Sequence, residues 1–221
     1  MRICRRKLWK ALRAGKIGAP VTSAMSQPHP SQHDLFGGGH LPAATVHRLF
    51  LALLPDEHVR AALARTAASL GGRPGASAGW VDPRRYHVTV HFLGDHASPR
   101  PDLVAATERI AGPLHGAAFD WTLDRVRSFR GRRPPRVLCA SISPEPLQAL
   151  WARWREALLR TVPGLRLESR FVPHVTLAYG REWLPEAEVE PVHWRVSGLA
   201  LVQSAAGQRD YRTLASWPLG D

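Results

Sequence analysis

The strongest constraint on the fold is a short pattern that occurs twice. The stretches "YHVTVHFLGD" (86–95) and "PHVTLAYG" (173–180) each set a histidine and a threonine two residues apart in a run of β-branched and apolar residues. Such residues suit a pleated, half-buried surface, so each stretch reads as a strand. Strand side chains alternate between faces, and residues two apart sit about 6.6 Å from one another on the same face. His87 and Thr89 therefore share one face, with Val88, Val90 and Phe92 turned to the core on the other. His174 and Thr176 share a face in the same way, opposite Val175 and Leu177.

The surroundings of the pattern repeat too. "VHRLFLAL" (46–53) is a short apolar run of the kind found in a buried strand. "DEHVRAALARTAASL" then places Val59, Ala62, Leu63, Thr66 and Leu70 at helical spacing, and Gly71-Gly72 stop the helix. In the second half "RVLCASI" (136–142) is the strand. "PEPLQALWARWREALLRTVPG" is the helix, with Leu147, Leu150, Trp151, Trp154 and Leu158 on one face. Each half thus runs strand, helix, strand bearing H-x-T, which predicts an internal duplication. A helix over 101–111 and the strands "FDWTLDRV", "HWRVSGLALVQS" and "YRTLASWPL" complete the reading. About eight strands and three helices predict an α+β domain with mixed or antiparallel pairing.

Composition narrows the class. The hydrophobic fraction of 44% suits a globular domain, and no run of about 18 apolar residues supports a membrane span. Residues 1–24 hold seven of the chain's cations and no acid, which accounts for more than half of the net charge of +12. This leader lacks the apolar block of a secretory signal. A basic arm for nucleic acid or a membrane surface, or a transit peptide, would fit it. It is read instead as a disordered tail, or as sequence upstream of a start at Met25, and no function is assigned to it. Residues 25–45, rich in Pro, Gly, Ser and His, read as a flexible lead-in, so the folded domain is expected over 46–221. Cys4 and Cys139 make no C-x-x-C pattern; Cys139 is expected to be a buried small hydrophobe and the compartment a reducing cytoplasm.

Two imidazoles and two hydroxyls brought to one cleft by a pseudo-twofold axis suit a phosphodiester. One ring takes a proton from the attacking water while the other gives one to the departing alcohol oxygen. The hydroxyls of Thr89 and Thr176 donate to the non-bridging phosphate oxygens. No cofactor is needed for this scheme. A metal site is not expected: His87 and His91, read on one strand face, stand about 13 Å apart, too far to share an ion. No Walker A loop or G-x-G-x-x-G occurs.

The paired "HVTV" and "HVTL" resemble the signatures of the two-histidine phosphoesterase superfamily, in particular its RNA 2′,3′-cyclic phosphodiesterase branch, the 2′-5′ RNA ligase family. "HRLFLALLPDEHVRAAL", "WVDPRRYHVTVHFLGD", "RFVPHVTLAYG" and "LVQSAAGQRDYRTLASWPL" extend the likeness over about residues 46 to 219. The resemblance implies a bilobal α+β fold around a central cleft with helices outside. It implies metal-free opening of a 2′,3′-cyclic phosphate to a 2′-phosphomonoester, with His87 and His174 catalytic and Thr89 and Thr176 binding phosphate. RNA with 2′,3′-cyclic phosphate ends, or cyclic nucleotides, are the implied partners; a monomer and no membrane partner are expected. Many members carry an arginine three residues after the second threonine, where this chain has Tyr179. Either Arg181 substitutes, or Tyr179 stacks on a base.

Other residues have two readings each. "RSFRGRRPPRV" carries Arg127, Arg130, Arg132, Arg133 and Arg136, which could draw a phosphate backbone or form a solvated loop. Arg130 and Arg136 are the pair assigned to face a cleft. Phe50 packs in the core or stacks on a base, and Trp151 and Trp154 read as core. Tyr211 is expected to pack near the sheet's end, and His58, His96, His115 and His193 at the surface. Two rival functions use the same sequence features. One is ligation of a cyclic phosphate to a 5′-hydroxyl at the same site. The other is a non-catalytic RNA-binding module, which would not require two matched proton-transfer groups.

Overall fold

The computed structural model describes residues 46–71, 78–114, 116–205 and 208–220. All of them lie in the unit Ala43–Asp221. The basic leader, the lead-in and His115 fall outside the described residues.

Among the described residues nine strands and three α-helices follow in the order β1 His47–Leu53, α1 Glu57–Gly71, β2 Ala78–Trp80, β3 Val88–His96, α2 Pro101–Ala111, β4 Phe119–Ser128, β5 Pro135–Cys139, α3 Glu145–Thr161, β6 Val175–Gly180, β7 Ala187–Val196, β8 Gly198–Ala205 and β9 Arg212–Pro218. They build a four-stranded sheet of order β3-β1-β8-β9 and a five-stranded sheet of order β2-β6-β5-β4-β7. Every strand pairing in both sheets is antiparallel. The sequence pattern missed β2, and the run "HWRVSGLALVQS" divides at Ser197 between β7 and β8 instead of forming one strand. A three-residue edge strand has too few residues to show a period, and a tight turn leaves apolar residues on both sides of it.

The duplication is visible in the sheets. Each H-x-T strand pairs with the opening strand of its own half, β3 with β1 and β6 with β5. The helices cross over: α1 leaves the first sheet and packs on β6 and β7, while α3 leaves the second and touches β3. The faces of β1 show how this sorts the side chains. Leu49, Leu51 and Leu53 enter the large core shared by both sheets and the helices. Phe50 and Ala52, on the alternate face, join Ala200, Val202 and Tyr211 in a small separate cluster. Aromatic pairs brace the large core: Trp121 stacks on Trp194 across β4 and β7 at 5.9 Å, and Trp154 of α3 meets Trp217 of β9 at 5.5 Å. α1 and α3 bury their predicted stripes, although Ala62 and Trp151 are half-buried at the margins while Trp154 is fully inside.

Both H-x-T strands depart from simple alternation at the same point. Thr89 pairs with Ala52 and His91 with Leu51, leaving Val90 as an extra residue. Thr176 pairs with Val137 and Ala178 with Arg136, leaving Leu177 extra. Such a bulge turns two successive side chains inward and reverses the phase beyond it. Accordingly 86–93 and 173–180 show one burial sequence, position for position. This corrects the sequence reading of β3. His91 is buried on the core side, and Phe92, expected in the core, is exposed on the face of His87 and Thr89.

Candidate active site

His87, just before β3, and Thr89 on it, with His174, just before β6, and Thr176 on it, line a single cleft of about 610 Å³ between the two sheets. That volume fits a nucleotide-sized ligand. Phe50 lines it beside His87 and packs behind on Ala52, Ala200 and Val202.

The two rings are held alike. Nδ1 of His87 lies 2.8 Å from the carbonyl oxygen of Arg85, and Nδ1 of His174 lies 2.7 Å from that of Val172. A carbonyl only accepts, so each Nδ1 must carry the proton and donate it. In the neutral ring that leaves the lone pair on Nε2. Nε2 of His87 is 3.1 Å from Thr89 Oγ1, whose hydroxyl donates to it in that state. Aromatic edges fix the ring planes: Tyr211 meets His87 at 5.2 Å and Phe129 meets His174 at 4.8 Å. Phe50 lies 4.9 Å from His87.

Burial pushes both imidazoles below their ordinary range, since the charged form loses hydration. The bond to Arg85 O pulls His87 back up, and the charges of His174 and Arg85 push it further down. His174 feels the same opposing pair of effects from Val172 O and Arg127.

A family model described as the 2′-5′ RNA ligase superfamily matches residues 54–208. The chain belongs to that superfamily. The RNA 2′,3′-cyclic phosphodiesterase of Geobacillus stearothermophilus is 33% identical over 115 residues, which are 51% of this chain and 35% of the relative. The chain therefore spans about a third of that relative's length. The protein of the same name from Thermotoga maritima is 27% identical over 132 residues, 59% of this chain and 68% of the relative. The crystal structure of E. coli LigT complexed with NADP+ superposes with a TM-score of 0.65 and 23% identity, over 80% of this chain and 99% of that one, a likeness of fold.

Within this 2′-5′ RNA ligase superfamily fold, the other sequence candidates separate. Phe50 and Tyr179 line the cleft; Arg130 and Arg181 are exposed outside it. Arg136 does not face it either. It pairs with Ala178, which the bulge turns inward, and it is wholly buried against Gly180, where a Cβ would stand 3.0 Å from its Nε. Tyr211 leaves the expected sheet end and lines the cleft beside His87. His96, expected at the surface, is half-buried, and its Nδ1 lies 3.3 Å from Nη1 of Arg100.

Sequence reasoning missed several lining residues. Phe92 is one of them: it and Tyr179, which the sequence had already singled out, each follow their histidine by five positions and are 41% and 45% exposed in the cleft, a symmetric pair of aromatic faces. Their common offset was a signal, hidden by the bulge. Trp80 comes from the short strand β2. Arg48, Arg85 and Arg209 supply positive charge from the first sheet's side. Arg48 is tied to Asp95 at 2.8 Å, whereas Arg85 donates to Ser204 Oγ at 3.2 Å and lies 4.6 Å over Tyr211. Imidazoles, hydroxyls, guanidiniums and open aromatic faces together suit an anion joined to a flat ring. Among the described residues, no three His, Cys, Asp or Glu side chains gather to hold a metal, and no helix is long and apolar enough to cross a membrane.

Proposed function

We propose that this cleft opens 2′,3′-cyclic phosphate ends of RNA or of nucleotides to 2′-phosphomonoesters. One observation carries the reading: two histidines, each with Nδ1–H spent on the carbonyl two residues earlier, line one cleft with Nε2 left for chemistry. Water attacks phosphorus as one Nε2 removes its proton. The bond from phosphorus to O3′ breaks as the other ring's Nε2–H passes its proton to O3′. The rings end with protonation states exchanged, and solvent restores them. Thr89 and Thr176 donate to the non-bridging oxygens, where charge concentrates. Phe92 and Tyr179 offer stacking faces for the nucleoside, so Tyr179 replaces an arginine contact with a ring contact. The names of the Geobacillus and Thermotoga relatives support the same reaction.

The same groups run in reverse would join a cyclic phosphate to a 5′-hydroxyl. Hydrolysis is favoured because water is always present and the cleft is open to it.

The test is turnover of a 2′,3′-cyclic nucleotide in the presence of a chelator, with the product identified. Intact protein should release the 2′-phosphate. His87→Ala and His174→Ala should each lower turnover by about 10²–10⁴-fold with an unchanged circular dichroism spectrum. Full turnover in both variants would remove the proposal.

A further inference from the structure

A second feature adjoins the cleft on the side of the five-stranded sheet. The loop between β4 and β5 carries Arg130, Arg132 and Arg133, all exposed. The neighbouring loop after β6 carries exposed Arg181 and Trp183, the latter 58% exposed. Among the described residues none of these four arginines makes an ion pair.

The two loops are fastened together at Ser128. Its backbone N–H donates to Leu184 O at 3.1 Å, and its hydroxyl and carbonyl accept from Leu184 N–H and Trp183 Nε1–H. The indole N–H is therefore spent, and what Trp183 offers solvent is a ring face. The first of these loops reaches the edge of the cleft. Phe129 touches His174, and Nη2 of Arg133 lies 3.5 Å from where a Cβ on Gly79 would stand. Gly79 pairs with Tyr179, and Trp80 follows it. Phe129 and Arg133 thus bring the first loop to the edge of the cleft, and Ser128 ties the second loop to the first, so the two loops make a rim beside it.

We propose that this rim binds single-stranded RNA, holding the phosphates that precede the terminal nucleotide while the terminal ring occupies the cleft. Unpaired guanidiniums interleaved with open aromatic faces are the elements single strands bind to, because every base has a stacking face and every linkage a charge. An acidic protein segment would use the arginines but leave Trp183 and Trp80 without a role. The inference rests on the cleft reading above and extends it: this chain prefers a strand over a lone cyclic nucleotide.

The experiment measures binding, so that it does not depend on turnover. Fluorescence anisotropy with a labelled single-stranded RNA ten-mer ending in a 2′-phosphate is followed from 50 to 200 mM salt for intact protein and for the triple variant R130Q/R132Q/R133Q. Glutamine keeps most of each stem, and all three positions are exposed, so the fold is retained. Single strands lose affinity with a log–log slope of about 0.7 per phosphate contact, so three contacts amount to a slope difference near 2, or about 20-fold over this salt range. The intact protein should show that extra dependence and the variant should lack it. Equal slopes for the two proteins overturn the rim. So does tighter binding to vesicles of anionic phospholipid than to the RNA. Cyclic-mononucleotide hydrolysis, measured alongside, reports separately on the cleft. Hydrolysis with equal slopes sinks only the rim, and salt-sensitive RNA binding without hydrolysis sinks only the reaction.

Discussion

His91 offers the most quantitative test of how the two H-x-T strands are held together. Its ring is 3% exposed, its Nε2–H donates to Trp151 O at 2.9 Å, and it stacks on Trp151 at 5.7 Å. Trp151 stacks in turn on Phe171 at 5.6 Å, three residues before His174. The stack therefore links the strand of His87 to the approach of His174. Burial drives the imidazole of His91 down to about 4, from an ordinary 6.5, with the positive charge of Arg155 acting in the same direction against the bond to Trp151 O. A group with a depressed folded pKa of this kind is neutral in the folded chain and charged in the unfolded one between those limits. Stability attributable to His91 is thus complete above about pH 6.5, falls as the pH drops, and reaches its lowest value below about pH 4. At 1.36 kcal/mol per pKa unit the loss is about 3 kcal/mol, a large part of the 5–15 kcal/mol that typically holds a domain folded. Urea unfolding at pH 7 and pH 4 would show it as a midpoint shift of about 1–2 M. His91→Phe keeps a ring against Trp151 and removes the titration. It should cost about 1 kcal/mol for the hydrogen bond at neutral pH and flatten the acid limb by the same 3 kcal/mol. A variant whose stability falls between pH 7 and 4 as steeply as that of the intact chain would refute the assignment.

Three further outcomes follow from the cleft. Burial lowers the imidazoles of His87 and His174, and the proposed reaction needs one neutral and the other charged, so kcat/KM for a cyclic nucleotide should be bell-shaped in pH with its maximum below about 6.5; a plateau reaching pH 8 contradicts this. Thr89→Val removes the hydroxyl 3.1 Å from Nε2 of His87, and should lower kcat about 10- to 100-fold while the far-ultraviolet spectrum stays unchanged. Tyr179→Ala removes a stacking face worth about 1–3 kcal/mol, so KM should rise at least fivefold with kcat nearly constant; a kcat effect alone would move Tyr179 from binding to chemistry.

The repeated H-x-T strands, the strand–helix–strand order around each and the buried stripes of α1 and α3 were legible because they depend on local periodicity. A period of two or of 3.6 is written in neighbouring residues, and burial of the apolar face then follows from removing that face from water. The pairing of the two motifs was legible too, since duplication places equivalent strands in equivalent positions.

The rest depended on what the strands pair with. A bulge exists only as a mismatch between two strands, so no reading of β3 alone could show that His91 turns inward and Phe92 outward. The same mismatch in β6 turns Tyr179 to the cleft and takes Arg136 away from it. Tyr211 lies 124 residues from His87 and meets it only because β8 and β9 complete the first sheet. The amino-acid order determined which groups could do acid–base chemistry; sheet register decided which of them, and which aromatic and cationic neighbours, face the same cleft.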